Sequence, residues 1–360
     1  MRHLIEIQDL SVKEIDEMIA LANDMMAHPD QYWDACAHQK LATLFYEPST
    51  RTRLSFESAM LSLGGQVLGF SDVGSSSVSK GESLQDTVRI VSGYADMIAI
   101  RHPRDGAALA AALKSRVPVI NAGDGGHDHP TQTLTDLTLI AREKGKMSGL
   151  TIGMCGDLRY GRTVHSLLEA MCRYPGMRFI LIAPDALRLP GYVREMLEMC
   201  GQSVQETEDL DAALPELDIL YMTRIQRERF TDMAMYEQVK DCYILTPERM
   251  QRARRDMTVM HPLPRVNEIS PLVDDDPRAA YFRQAECGRY IRMALILKLM
   301  QERDKAHGLV PAGTVWAEHS LCPNARCITQ AEHSVRWGYR PGAHQGDRAR
   351  CIYCGRGVSI

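Results

Sequence analysis

Short apolar runs recur between helical patterns along the whole chain: Leu41 to Tyr46, Met97 to Arg101, Val117 to Asn121, Leu150 to Cys155, Phe179 to Ala183, Ile219 to Thr223 and Thr258 to His261. Runs of this length, bounded by turn residues and separated by helix-period segments, argue for parallel strands joined by crossover helices. The expected fold class is α/β, with two doubly wound parallel-sheet domains. The polar stretch Glu143-Lys144-Gly145-Lys146-Met147-Ser148-Gly149 places the boundary between them, giving 1–144 and 145–302. A long helical pattern from about 283 to 302 carries the chain out of the second domain and is expected to pack back on the first. Residues 303–318, with Gly308, Pro311 and Gly313, read as a linker to a small module at 319–360.

The first run ends in Phe45-Tyr46-Glu47-Pro48-Ser49-Thr50-Arg51-Thr52-Arg53 and is followed by an imperfect helical stripe closed by Gly64-Gly65. Ser49 to Thr52 therefore fall at a helix start, where free N–H groups and the positive end of the dipole favour an anion. A single Ser cap followed by solvated arginines would be the ordinary reading. Three hydroxyls interleaved with two arginines point instead to a bound phosphate, because they add directional, charge-assisted donors.

Other polar groups follow the ends of other apolar runs, where parallel α/β architecture exposes them to ligand. In the first half these are Arg101-His102-Pro103 and His129-Pro130-Thr131-Gln132. A Ser- and Gly-rich loop, Ser71 to Glu82, carries Lys80 and reads either as mobile surface or as a lid bearing a cation. In the second half, Gly156-Asp157-Leu158-Arg159-Tyr160-Gly161-Arg162 joins a strand to a helix. Its glycines do not make the G-x-G-x-x-G fingerprint, and Arg162 suits an anionic substrate better than a dinucleotide. Tyr221 to Arg229 ends another strand with three arginines, and His261-Pro262-Leu263-Pro264-Arg265 ends the last, where prolines leave carbonyls free to accept from a substrate amide.

Composition limits the alternatives. A net charge of -4 gives no global reason for nucleic acid or an anionic membrane as partner. No apolar run approaches a membrane span and the N-terminus is not signal-like, so the expected location is the cytoplasm. Six of the ten cysteines, Cys36, Cys155, Cys172, Cys200, Cys242 and Cys287, are isolated in sequence and read as reduced core residues. His127, two residues before His129, reads as a polar group on the surface.

These motifs together resemble the catalytic chains of the aspartate carbamoyltransferase family over essentially Met1 to Met300. Ser-Thr-Arg-Thr-Arg is common to transcarbamoylases. Lys80-Gly81-Glu82, Tyr221-Met222-Thr223-Arg224-Ile225-Gln226 and His261-Pro262-Leu263-Pro264-Arg265-Val266-Asn267-Glu268-Ile269 resemble the aspartate branch, whereas the H-C-L-P turn of the ornithine branch is absent. The resemblance implies transfer of a carbamoyl group from carbamoyl phosphate to L-aspartate, an early step of pyrimidine biosynthesis, with no catalytic cofactor. It implies that Ser49, Thr50, Arg51, Thr52 and Arg101 hold the phosphate, and that Thr52, Arg101 and His129 polarise the carbamoyl oxygen. Gln132 and the carbonyls of Leu263 and Pro264 would hold the amide. Arg162, Arg224 and Gln226 would bind the aspartate carboxylates, and Glu47 and Arg229 would make cross-domain ion pairs favouring closure. Lys80, with Ser76 less securely aligned, would arrive from a neighbouring subunit of a homotrimer with shared active sites. A catalytically silent scaffold, or a different carbamoyl acceptor, is the competing reading; retention of Arg51, Lys80 and His129 argues against the scaffold.

The last residues carry Cys322-Pro323-Asn324-Ala325-Arg326-Cys327 and Cys351-Ile352-Tyr353-Cys354. Two close cysteine pairs across a short loop are what a closed four-thiolate zinc site needs. The expected ligands are Cys322, Cys327, Cys351 and Cys354, holding a single structural zinc that folds a segment too small to bury its own core. The basic tail keeps a nucleic-acid zinc ribbon as a rival. C-P-N-x-x-C-I and C-x-Y-C are similar to the zinc domain of the family's regulatory chain, which implies a transcarbamoylase fold with a fused four-cysteine module. That module would brace subunit contacts or a higher assembly, without a nucleotide-binding domain.

Overall fold

Strands β1 (Lys40–Phe45), β2 (Gln66–Phe70), β3 (Met97–His102) and β4 (Val119–Asp124) pair in parallel in the order β2-β1-β3-β4. β1, β3 and β4 are buried on both faces, as near-continuous apolar runs require. β2, at the sheet edge, is partly exposed along its length. The computed structural model describes residues 2–72, 74, 76–225, 233–305, 308–320, 322–342 and 348–359. The chain divides into two compact units, Met1–Thr131 with Arg289–Ile360, and Gln132–Gly288.

The second unit holds a five-stranded parallel sheet, β7-β6-β5-β8-β9, built from β5 (Thr151–Cys155), β6 (Arg178–Ile182), β7 (Ser203–Thr207), β8 (Ile219–Met222) and β9 (Thr258–Met260). Its core gathers Ile180, Ile182, Leu220, Met222, Val259 and Tyr281. Both sheets have the strand-order reversal of a doubly wound fold, at β1/β3 in the first and β5/β8 in the second. Ligand crevices in such sheets open beyond the strand C-termini at these reversals.

The final residues form a four-stranded antiparallel sheet of β10 (Val315–Ala317), β11 (Trp337–Arg340), β12 (Ala349–Cys351) and β13 (Gly357–Val358). Trp337, Ile352 and Tyr353 join one hydrophobic core with the helix Ala107–Ala112 of the same unit. All six residues of that helix are buried, because the tail covers the side that a surface helix would leave wet.

Docking of the tail is specific. Asp105 N–H donates to Arg326 O (3.0 Å), its carbonyl accepts from Ile328 N–H (2.9 Å), and its Oδ2 accepts from Asn324 Nδ2 (2.8 Å). Glu332 Oε1 accepts from Leu84 N–H at 3.1 Å. Gly106 has φ +80°, and a Cβ there would lie 2.4 Å from both the Cβ and the carbonyl oxygen of Tyr353, so close approach requires glycine. Cys172 and Cys200, isolated in sequence, are adjacent in space with their sulfurs 2.9 Å apart.

Candidate active site and metal centre

At the reversal of the first sheet, β1 leads into a helix at Thr50–Ser62 with Ser49 as its N-cap. Phe45 pairs with Arg101 of β3, and Tyr46 N–H donates to Arg101 O at 2.8 Å, so the helix start and the end of β3 are held side by side. Ser49 makes no side-chain cap bond, which leaves its hydroxyl and the first N–H groups for a ligand. Arg101 pairs with Glu47 at 2.8 Å and donates to Ala122 O of β4 at 3.2 Å. Burial pushes its guanidinium pKa down; Glu47 opposes that, and the nearby charge of Arg51 adds to it. Arg101 and the neighbouring charge of Arg51, set against the single carboxylate of Glu47, leave a net positive site that an anion relieves. Arg53 faces another way, bonding Glu57 Oε1 at 2.7 Å.

β4 runs into the turn Gly125 to His129. His129 is buried and its N–H donates to Asp128 Oδ1 at 2.6 Å. Asp105 Oδ1 accepts from Gly126 N–H at 2.7 Å, so the residue that anchors the tail also anchors this turn. His127 corrects the surface reading. Its side chain is 14% exposed, with Nε2 3.3 Å from Glu6 and Nδ1 3.3 Å from Asp124. Burial works against its protonation, yet Asp124 and Glu6 hold its pKa well above the ordinary histidine value. Periodicity missed this because Glu6 lies more than a hundred residues away in sequence. Lys80 ends a short 3₁₀ turn at Ser77–Lys80, is exposed, and makes no hydrogen bond or ion pair among the described residues.

At the reversal of the second sheet, β5 and β8 end side by side. Thr223 N–H donates to Cys155 O at 2.8 Å, and its Oγ1 accepts from Asp157 N–H at 2.9 Å. Arg162 opens the helix α1 (Arg162–Met171), and Arg224 follows β8, so the two arginines leave adjacent strand ends. Gln226 and Arg229 lie outside the described residues.

Sequence reasoning missed the hub of this unit. Asp136, fully buried, accepts from Gln132 Nε2 (2.7 Å), Gln284 Nε2 (2.6 Å) and Tyr221 OH (2.9 Å). Gln284 Oε1 in turn accepts from His261 N–H at 2.9 Å. His261 Nδ1 accepts from Leu263 N–H at 2.7 Å, and its Nε2 meets buried Glu268 at 2.7 Å. Leu263 is thereby held at φ +52°, a conformation rare outside glycine and asparagine, with a cis bond to Pro264. Gln132 and the carbonyls of Leu263 and Pro264 thus hang from one carboxylate. The four-residue spacing of Gln132 and Asp136 was a usable signal for that pair, but nothing local pointed to Tyr221 or Gln284.

The four tail cysteines are buried, with sulfurs all within 4.8 Å of one another. A tetrahedron with Zn–S bonds of about 2.3 Å has edges of about 3.8 Å. The Cys322–Cys354 and Cys327–Cys351 separations are 3.5 and 3.9 Å, which suit metal ligands and are too long for disulfides. Thr329 Oγ1 donates to Cys327 Sγ at 3.2 Å, an outer contact that would steady the ligand. These residues could hold a metal ion.

The carbamoyl phosphate-binding domain of aspartate/ornithine carbamoyltransferases matches residues 2–142, and the family's Asp/Orn-binding domain matches 148–299. An aspartate carbamoyltransferase catalytic subunit of Clostridium perfringens is 58% identical over 302 residues, 84% of this chain and 98% of that one. The catalytic subunit of M. jannaschii aspartate transcarbamoylase aligns with a TM-score of 0.79 at 46% identity, covering 85% of this chain and all of that one. Aspartate transcarbamoylase from Trypanosoma cruzi, in complex with N-(phosphonacetyl)-L-aspartic acid, aligns with the same score at 40% identity, covering 83% and 95%. Two parallel-sheet domains with arginine-bearing turns at both strand-order reversals, and these likenesses along nearly the full length of the relatives, lead to one statement: the chain belongs to the aspartate carbamoyltransferase family.

Proposed function

We propose that the chain transfers the carbamoyl group of carbamoyl phosphate to the amine of L-aspartate, releasing phosphate and N-carbamoyl-L-aspartate. The observation that carries this is the pairing of cationic turns with sheet reversals: Ser49 to Arg53 with Arg101 in one unit, Arg162 with Arg224 in the other. The substrates bring about four negative charges together, and like charges at ~4 Å repel by about 4 kcal/mol at a moderate effective dielectric. Arg51, Arg101, Arg162, Arg224 and Lys80 offset that repulsion.

In this reading 1–144 binds carbamoyl phosphate and 145–302 binds aspartate. Ser49, Thr50, Arg51, Thr52 and Arg101 hold the phosphate; Thr52, Arg101 and His129 donate to the carbamoyl oxygen. Gln132, aimed by Asp136, and the carbonyls of Leu263 and Pro264 hold the amide. The deprotonated aspartate amine attacks the carbamoyl carbon, the oxyanion of the tetrahedral intermediate is met by preorganised donors, and phosphate leaves with the amine proton. Arg162, Arg224 and Gln226 hold the aspartate carboxylates, while Glu47 and Arg229 favour closure. The exposure of Lys80 supports its service to a neighbouring subunit of a cytoplasmic homotrimer.

The four cysteines would hold zinc as a closed structural site, with 303–318 as linker and 319–360 as the module. The shared core with Ala107–Ala112 supports a brace acting within its own chain. A phosphate-release assay with carbamoyl phosphate plus aspartate or ornithine, run beside a zinc determination, tests the proposal. Turnover with aspartate and one zinc per chain is expected; activity only with ornithine, or none, refutes the catalytic reading.

A further inference from the structure

Cys172 caps the C-terminus of α1, and Cys200 caps that of α2 (Gly191–Met199). Their 2.9 Å separation is shorter than the 3.5 and 3.9 Å between thiols arranged like metal ligands in the tail. The approach is built into the backbone. Gln202, two residues after Cys200, donates through Nε2 to the carbonyls of Cys172 and Tyr174, each at 3.0 Å. Its Oε1 accepts from Met177 N–H at 2.9 Å, so three hydrogen bonds lace the turn after α2 to the turn after α1. Gly201, at φ +67°, starts that turn where a side chain would be strained. The pair is also no fragment of a metal site: among the described residues, only the tail brings three or more candidate ligands together.

The sulfurs differ in access. Cys172 is 5% exposed, whereas Cys200 is open to solvent. We propose that Cys172 and Cys200 form a reversible dithiol–disulfide pair, a redox modification site that staples the ends of α1 and α2. With a low-molecular-weight disulfide such as oxidised glutathione as oxidant, the Cys200 thiolate attacks one oxidant sulfur and expels the first thiolate. Cys172 then gives its proton to solvent and attacks Cys200 Sγ, expelling the second thiolate. Two protein thiols lose two hydrogens, and the oxidant is reduced to two thiols. Burial, reinforced by the neighbouring Cys200, pushes the Cys172 thiol pKa up, which leaves the first attack to the solvent-exposed Cys200.

The staple sits at the end of α1 opposite Arg162, about 15 Å away along the helix at 1.5 Å per residue. It ties down that helix without touching the proposed aspartate groups, so its effect is read in stability rather than in substrate contacts. The test equilibrates the full zinc-loaded chain in glutathione buffers of increasing oxidation, followed by acid quench, alkylation and peptide mass spectrometry. The expected result is a cross-linked pair of peptides containing Cys172 and Cys200, lighter by two hydrogens, reversed by excess reductant. The oxidised chain should melt several degrees higher than the reduced one. Cys200→Ser, at an exposed position, should fold, keep the phosphate-release rate of the reduced protein and show neither the cross-link nor the shift. Stable glutathione on Cys200 beside a free Cys172, or full alkylation of both thiols at every ratio, overturns the proposal.

Discussion

Replacement of Asp136 by alanine is the most direct test of how the second unit organises its ligand groups. The substitution strands three donors. Gln132 is partly exposed and can turn to water, but Gln284 is 1% and Tyr221 0% exposed, and neither can. A buried donor left without its acceptor costs about 1–3 kcal/mol, so two of them predict a loss of about 2–6 kcal/mol. Asp136→Asn should cost less, about 1–2 kcal/mol, because its carbonyl oxygen can still accept from both glutamines while its amide donates to the Tyr221 oxygen. Urea denaturation measures the stability term. The same variants should raise KM for carbamoyl phosphate about tenfold, since Gln132 and the Leu263–Pro264 turn both lose their common anchor. An Asp136→Ala protein with unchanged denaturation midpoint and unchanged KM would refute the hub.

Further perturbations address the other unit. The His127 pKa is raised on folding, so its stabilisation is fully present below the unfolded value near 6.5 and disappears as pH rises through the folded value; the stability gap between wild type and His127→Gln should therefore be widest in mild acid and close in alkali, and a pH-independent gap would contradict the ion-pair account. Gly106→Val forces a side chain into Tyr353 at positive φ, so it should cost more than ~2 kcal/mol and expose the tail to protease; unchanged protection would show that the tail is not seated there. A strong chelator should strip the zinc proposed for the four cysteines, release 319–360 and lower Tm by more than ~5 °C, as followed by calorimetry. Arg51→Ala should cut kcat/KM by about 10²–10³ with Tm unchanged, as expected for a charge aimed at a ligand.

Much of the fold is legible in the chain, and the parts that are not have a common cause. Seven of the parallel strands read correctly because strands buried on both faces must be apolar throughout. Two of the edge strands escape notice: Gln66–Phe70 and Ser203–Thr207 are half exposed, mix polar with apolar residues and lack the run that marks their neighbours. The anion-binding turn after β1 is legible because its hydroxyls and arginines are contiguous, and a helix start needs no distant partner to bind an anion. His127 and Asp136 are different. One residue is half of an ion-pair cluster with Glu6, the other a carboxylate shared by Tyr221 and Gln284, and each gets its meaning from residues tens to more than a hundred positions away.

By itself, the sequence determined the α/β class, the anion-binding helix start at Ser49 to Arg53 and the four-thiolate spacing of the tail, because each follows from neighbouring residues and local geometry. Tertiary structure alone decided that the tail seats on its own Ala107–Ala112 helix through Asp105 and Gly106, that His127 sits between Glu6 and Asp124, that Asp136 suspends Gln132 and the Leu263 turn, and that Cys172 meets Cys200. These are long-range contacts. They depend on where folding brings distant segments, and that placement comes from packing the whole chain rather than from any one stretch of it.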